Sequence, residues 1–197
     1  MREQEARGAA NFDLDSALSG TVFDIRLPLR QRLRALRLLS PDFHMLSVGF
    51  IERLTQANSS ELRGQAAWLI GLRGKQEEQA VLVKLLEDTD PFVRRRATEA
   101  LCRSDSLEAT PALVERLSDP VRLVRYSAMT ALAHRPLEGW IEIALKRNDS
   151  QTLMRALVSG AIRRKPPRDQ WVFRAVDTIM ESPLNSIEQQ LDFLRVL

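Results

Sequence analysis

Apolar side chains recur along this chain at the spacing of helices. In VRRRATEALCR, which begins at Val93, the residues Val93, Ala97, Ala100 and Leu101 stand at i, i+4, i+7 and i+8. That spacing lines one stripe of an α-helix. The same pattern returns at a nearly fixed interval: LRGQAAWLIGL starts at Leu62, VRRRATEALCR at Val93 and VRYSAMTALAH at Val124, each 31 residues after the last. Weaker copies start at Leu29, Leu153 and Ile187. A second amphipathic segment follows each central copy, in QEEQAVLVKLLED (76–88), PALVERLSD (111–119) and PLEGWIEIALKRND (136–149). Each unit therefore reads as a helical hairpin. No run alternates apolar and polar residues between turns, and glycines number only eight, so no strand is predicted.

A hairpin with one apolar stripe buries it by stacking on the next copy, and a period of this size marks a repeat array. The predicted fold is all-α, an α-solenoid (superhelix) of about five to six helical hairpins over residues 29–197. Units start near 29, 62, 93, 124, 153 and 187, after an N-terminal extension or capping helix over 1–28. The second helices are expected to line a concave face. Turn residues agree with this division. Asp90 precedes Pro91 and Asp119 precedes Pro120, a capping side chain ahead of a residue whose missing N–H costs nothing in a first helical turn. Pro41, Pro111, Pro136 and Pro166 recur where second helices begin.

The segments LLEDTDPFVRRRATEALCR and RLSDPVRLVRYSAMTALAHR resemble HEAT-type repeats of the short kind also found in phycobilin lyases, with a helix, a D-P turn and then V-R-x-x-A-x-x-A-L. The resemblance covers roughly residues 60–135. It implies a structural ladder in which the turn aspartate of one repeat bonds the arginine of its neighbour. Here Asp90 and Asp119 would serve as the acids and Arg63, Arg94 and Arg125 as the bases. The ladder is not expected in the outer copies, where Met154 and Glu188 replace the arginine. A narrower similarity joins DPFVRRRATEAL, VRYSAMTAL with Trp140, and LDFLRVL to the HEAT segment of large planctomycete-type proteins that fuse a dehydrogenase-like propeller to a cytochrome c domain. That similarity implies a middle segment of a longer protein, truncated at Leu197 inside a helical pattern, and an extracytoplasmic location. Without it, localisation stays open.

Composition narrows the function. The chain has 197 residues and a net charge of +3, too small by itself to announce nucleic acid. Residues 146–174 nevertheless carry a net +6. Within them the run RRKPPR supplies Arg163, Arg164, Lys165 and Arg168 on a loop held open by prolines, a candidate docking site for an acidic protein surface or phosphate. Trp140 and Trp171 read first as packing between adjacent repeats, and otherwise as aromatic anchors for a partner. A single tyrosine and no stacking cluster disfavour nucleic acid. Arg95 and Arg96 are expected to face solvent.

No apolar run reaches the length of a membrane span, and no signal peptide is evident. One cysteine, Cys102, and two separated histidines, His44 and His134, give no metal motif and no acid–base pair. No nucleophile elbow or phosphate loop occurs. The expectations are no cofactor, no small-molecule substrate and no enzyme in this segment, which reads as a protein–protein interaction or domain-spacing scaffold. A phycobilin-lyase-like chromophore lyase or isomerase and a nucleic-acid-binding HEAT-like protein are the alternatives.

Overall fold

The computed structural model describes residues 14–104, 107–147, 149–162, 170–181 and 187–196. Among them the chain is helical throughout, with no strand. After α1 (14–23) come α2 (Leu29–Leu39), α3 (Val48–Thr55), α4 (Ser60–Arg73), α5 (Gln79–Leu85) and α6 (Pro91–Leu101). These are followed by α7 (Thr110–Glu115), α8 (Arg122–Ala133), α9 (Ile141–Arg147), α10 (Ser150–Ile162), α11 (Gln170–Met180) and α12 (Ile187–Val196). Short 3₁₀ turns lead into α5, α7 and α9. The fold is an all-α solenoid.

Local chemistry sets the helix boundaries. Ser59 caps α4 by accepting from the Leu62 N–H, and Asp90 caps α6 by accepting from the Phe92 N–H at 2.9 Å, with Pro91 in the first turn. Both satisfy donors that the helix cannot. Gly74 closes α4 with φ 63°, the left-handed conformation that a side chain would resist.

The helices form two layers. Helices α4, α6, α8, α10 and α12 pack on one another in series, whereas the helices of the α5, α7, α9 and α11 layer touch each other little. Small residues permit the close approach: a Cβ on Gly71 of α4 would lie 2.7 Å from the Ala100 Cβ of α6. The layer with the shorter spacing is the inner arc of a curved stack. It holds the segments that begin at Leu62, Val93 and Val124, whereas the segments at 76–88, 111–119 and 136–149, expected on the concave side, form the other layer.

The hairpins are also framed half a unit earlier than the sequence copies. Helix α3 packs with α4, α5 with α6, and α7 with α8, each pair joined by a short turn. Between the layers lies a continuous core, in which Leu62, Leu69, Ile70, Val93, Leu101, Leu113, Leu117, Val124 and Leu132 are all but fully buried. Each such aliphatic side chain stabilises the array by roughly 1.5–3 kcal/mol relative to exposure. Helix α1 joins this core through Val22, and its Phe23 ring meets Phe50 edge-on at 5.1 Å. Residues 14–23 of the predicted extension are thus packed structure.

Candidate functional site

The arginine near the start of each inner helix has two tasks. Arg94 donates through Nε and Nη2 to both carboxylate oxygens of Asp119, at 2.8 and 3.0 Å, and through Nη1 to the carbonyls of Asp88 and Thr89, at 2.9 and 3.2 Å. One guanidinium therefore joins its own turn to the turn of the next unit. Arg63 repeats the geometry one unit earlier, donating to Asp88 at 2.6 and 2.8 Å and to the Ala57 and Asn58 carbonyls. Arg125 binds the Asp119 and Pro120 carbonyls at 2.9 and 3.0 Å.

The partner of Arg63 is Asp88, and Asp90 acts as the helix cap instead. Asp88 Oδ1 accepts from the Asp90 N–H, and Asp119 Oδ1 accepts from the Val121 N–H, both at 2.9 Å. Asp88 and Asp119, 31 residues apart, are the equivalent pair. Burial presses each of these two carboxyls upward, but the arginine and backbone N–H bonds outweigh it and hold both below the usual carboxylate range.

The exposed side of the inner layer is the candidate binding face. Arg95 and Arg96 both reach Glu99, at 3.3 and 3.4 Å, so they are paired with a carboxylate and leave that turn with one surplus positive charge. Farther along, Tyr126 stands 65% exposed on α8. Beside it Arg122, Arg125, Met129, Arg155, Val158 and Asp192 complete the wall of a cavity of ≈ 260 Å³.

The other candidates fall elsewhere. Trp140 is fully buried and Trp171 is 7% exposed, its ring 3.3 Å from where a Cβ on Gly160 would sit. Both indoles pack between repeats and present no face to a partner, which corrects their other reading as anchors for a partner. Arg163, Arg164, Lys165 and Arg168 lie outside the described residues. Cys102 is partly buried, and burial foremost pushes its thiol up to about 11, which leaves it protonated and unreactive at neutral pH. His44 and His134 are exposed on separate elements, His44 with its ring against Phe43. No group of three or more His, Cys, Asp or Glu side chains that could hold a metal ion occurs among the described residues. No helix among them is long and apolar enough to cross a membrane.

Comparison with known proteins follows the same frame. Residues 47–133, from the cap of α3 to the end of α8, match the model of the family described as HEAT repeats. The chain is 31% identical over 128 residues to deoxyhypusine hydroxylase of Bos taurus, covering 64% of this chain and 41% of that protein. It is 30% identical over 128 residues to the enzyme of that name from Homo sapiens, with the same coverage. To that of Drosophila melanogaster it is 28% identical over 136 residues, covering 68% of this chain and 44% of that protein. The chain thus spans less than half the length of these curated relatives.

Among solved structures, the crystal structure of an engineered protein shares the fold, with a TM-score of 0.50, 20% identity, and coverage of 94% of this chain and 95% of the other. The relatives correct one expectation. This segment was predicted not to be an enzyme, and proteins about 30% identical to it are named as one. Nothing in these matches supports the narrower resemblances to phycobilin lyases or to a dehydrogenase–cytochrome fusion. Residues 47–133 are thus similar to HEAT repeats, and the layered helices and the Arg–Asp ladder agree with that match.

Proposed function

We propose that the chain is a HEAT-type scaffold that holds a segment of a partner protein on its inner face. The carrying observation is the exposed Tyr126 on α8, beside a small cavity lined by half-buried Met129 and Val158 and by Arg122, Arg125 and Arg155. An exposed aromatic among arginines, set on a rigid stack, has the composition of protein-recognition surfaces, which are enriched in Tyr, Met and Arg. Repeat arrays present such surfaces because each unit contributes one helix to the same arc. Affinity capture with the full chain tests the reading. A partner retained by the parent and by Lys84→Ala, on the outer layer, should be lost with Tyr126→Ala. Loss with Lys84→Ala alone would remove the inner face from the account.

A second reading is enzymatic and rests on the 30–31% identity to deoxyhypusine hydroxylases. In it, a segment of the protein substrate has one C–H bond converted to C–OH by dioxygen, the second oxygen atom leaving as water with two electrons and two protons from an added reductant. Mass spectrometry of a deoxyhypusine-bearing protein after incubation with the chain decides it. A gain of one oxygen supports the reading, and no gain where the human relative produces one ends it.

A further inference from the structure

We infer that the cavity between α8 and α10 receives an acidic side chain, Asp or Glu, from the partner segment, an inference that rests on the protein-binding reading above. Its lining holds three arginines, Arg122, Arg125 and Arg155, against one acid, Asp192, with Arg125 also bound to the Asp119 and Pro120 carbonyls. At ≈ 260 Å³ it lies below the range of pockets for whole small molecules and fits one side chain. Met129 and Val158 exclude water from part of the wall, which strengthens any ion pair formed there.

The arginines differ in how far they are committed. Arg155 is 4% exposed and donates to the Leu117 carbonyl at 2.8 Å and to Gln151 Oε1 at 3.3 Å. Arg122 is exposed and makes no hydrogen bond or ion pair with another described residue. It is placed to close over an incoming carboxylate. Asp192, reaching across from α12, already sets a carboxylate oxygen 3.4 Å from Arg155 Nη2. That carboxylate presents the same chemistry as the partner's acid, so Asp192 stands in for it and competes with it. The surplus charge at Arg95 and Arg96 extends the same preference along the face toward α6. A lone tyrosine, with no series of aromatic platforms, favours an acidic protein segment over a nucleic acid strand.

Fluorescence anisotropy with the full chain tests this, using a labelled peptide of alternating Glu and Leu and its counterpart with Gln for Glu. The Glu peptide should bind and the Gln peptide should not. Arg122→Glu should weaken binding about tenfold, whereas Arg30→Glu, the same charge change on exposed α2, should leave it unaltered. Asp192→Asn should tighten it, a gain that misfolding cannot imitate. The inference is overturned by equal binding of the two peptides, by equal weakening in Arg122→Glu and Arg30→Glu, by no gain in Asp192→Asn, or by tighter binding of labelled oligothymidylate. If any of these occurs while Tyr126→Ala still loses the captured partner, the protein-binding reading stands without the acidic specificity.

Discussion

Asp119 is the side chain on which most contacts converge. It takes both arms of Arg94, the Val121 N–H, and at 3.7 Å a guanidinium nitrogen of Arg116, with its own side chain fully buried. Removing it leaves Arg94 buried without its acid, a loss expected near 3 kcal/mol for Asp119→Ala. Arg63 is more exposed, at 17% of its side chain, and Arg63→Ala should cost about 1–2 kcal/mol. Urea midpoints of the two variants give the comparison, and equal losses would contradict the ladder as described.

The sign of the pH dependence follows from the same acids. Asp88 and Asp119 are held below their usual range when folded, and unfolded they titrate near ~3.9. Their stabilising contribution is complete above about pH 5 and declines as pH falls through ~4 toward the lower folded values. In urea titrations at stepped pH, Asp119→Asn should show a shallower acid decline than the parent.

The ladder was only partly legible in the sequence, and the reason is local. Asp90 sits beside a proline and attracts attention as the turn acid, yet the 31-residue register pairs Asp119 with Asp88. The buried pair of Arg73 and Glu78, 2.9 Å apart, was out of reach. Its equivalents one unit later are Ser104 and Ala109, and two units later Arg135 and Trp140, so self-comparison repeats the base once and never the acid.

At the scale of elements, the spacing of the inner helices is set by absent side chains. A Cβ at Gly71 would meet Ala100 on α6 at 2.7 Å from its Cβ and 2.9 Å from its Cα, and backbone cannot swing aside. At Gly64 the obstruction is the Phe92 ring, which can. Overpacking costs about 1–3 kcal/mol and alanine's helix propensity restores about 1. Gly71→Ala should therefore lower the thermal midpoint more than Gly64→Ala does, and the reverse order would contradict the close packing of α4 on α6. The helices themselves were readable because their stripes repeat at 3.6 residues, as at Val93, Ala97, Ala100 and Leu101. Which layer is inner was not, because amphipathic stripes on both layers point at the same core. Only the closeness that Gly71 and Ala100 allow decides it.

For the whole molecule, curvature and charge combine. Arg95 and Arg96 stand on α6 and Arg122 and Tyr126 on α8, adjacent helices of the closely spaced layer. A net charge of +3 concealed this, since what matters is where arginines outnumber acids locally. The sequence offered a basic loop, which lies outside the described residues, and tryptophans that prove to be core as their packing reading has it, because a charge run and a large aromatic are visible without a fold. The cavity draws on α8, α10 and α12, three helices spread over some 70 residues of sequence.

The central claim, recognition of a protein by the inner helix layer, is tested most directly by photocrosslinking. A photoreactive residue placed at Tyr126, on the inner layer, should give covalent adducts with the bound protein in cells. The same residue at Lys84, on the outer layer, should give none. Adducts from Lys84 without adducts from Tyr126 would contradict the account.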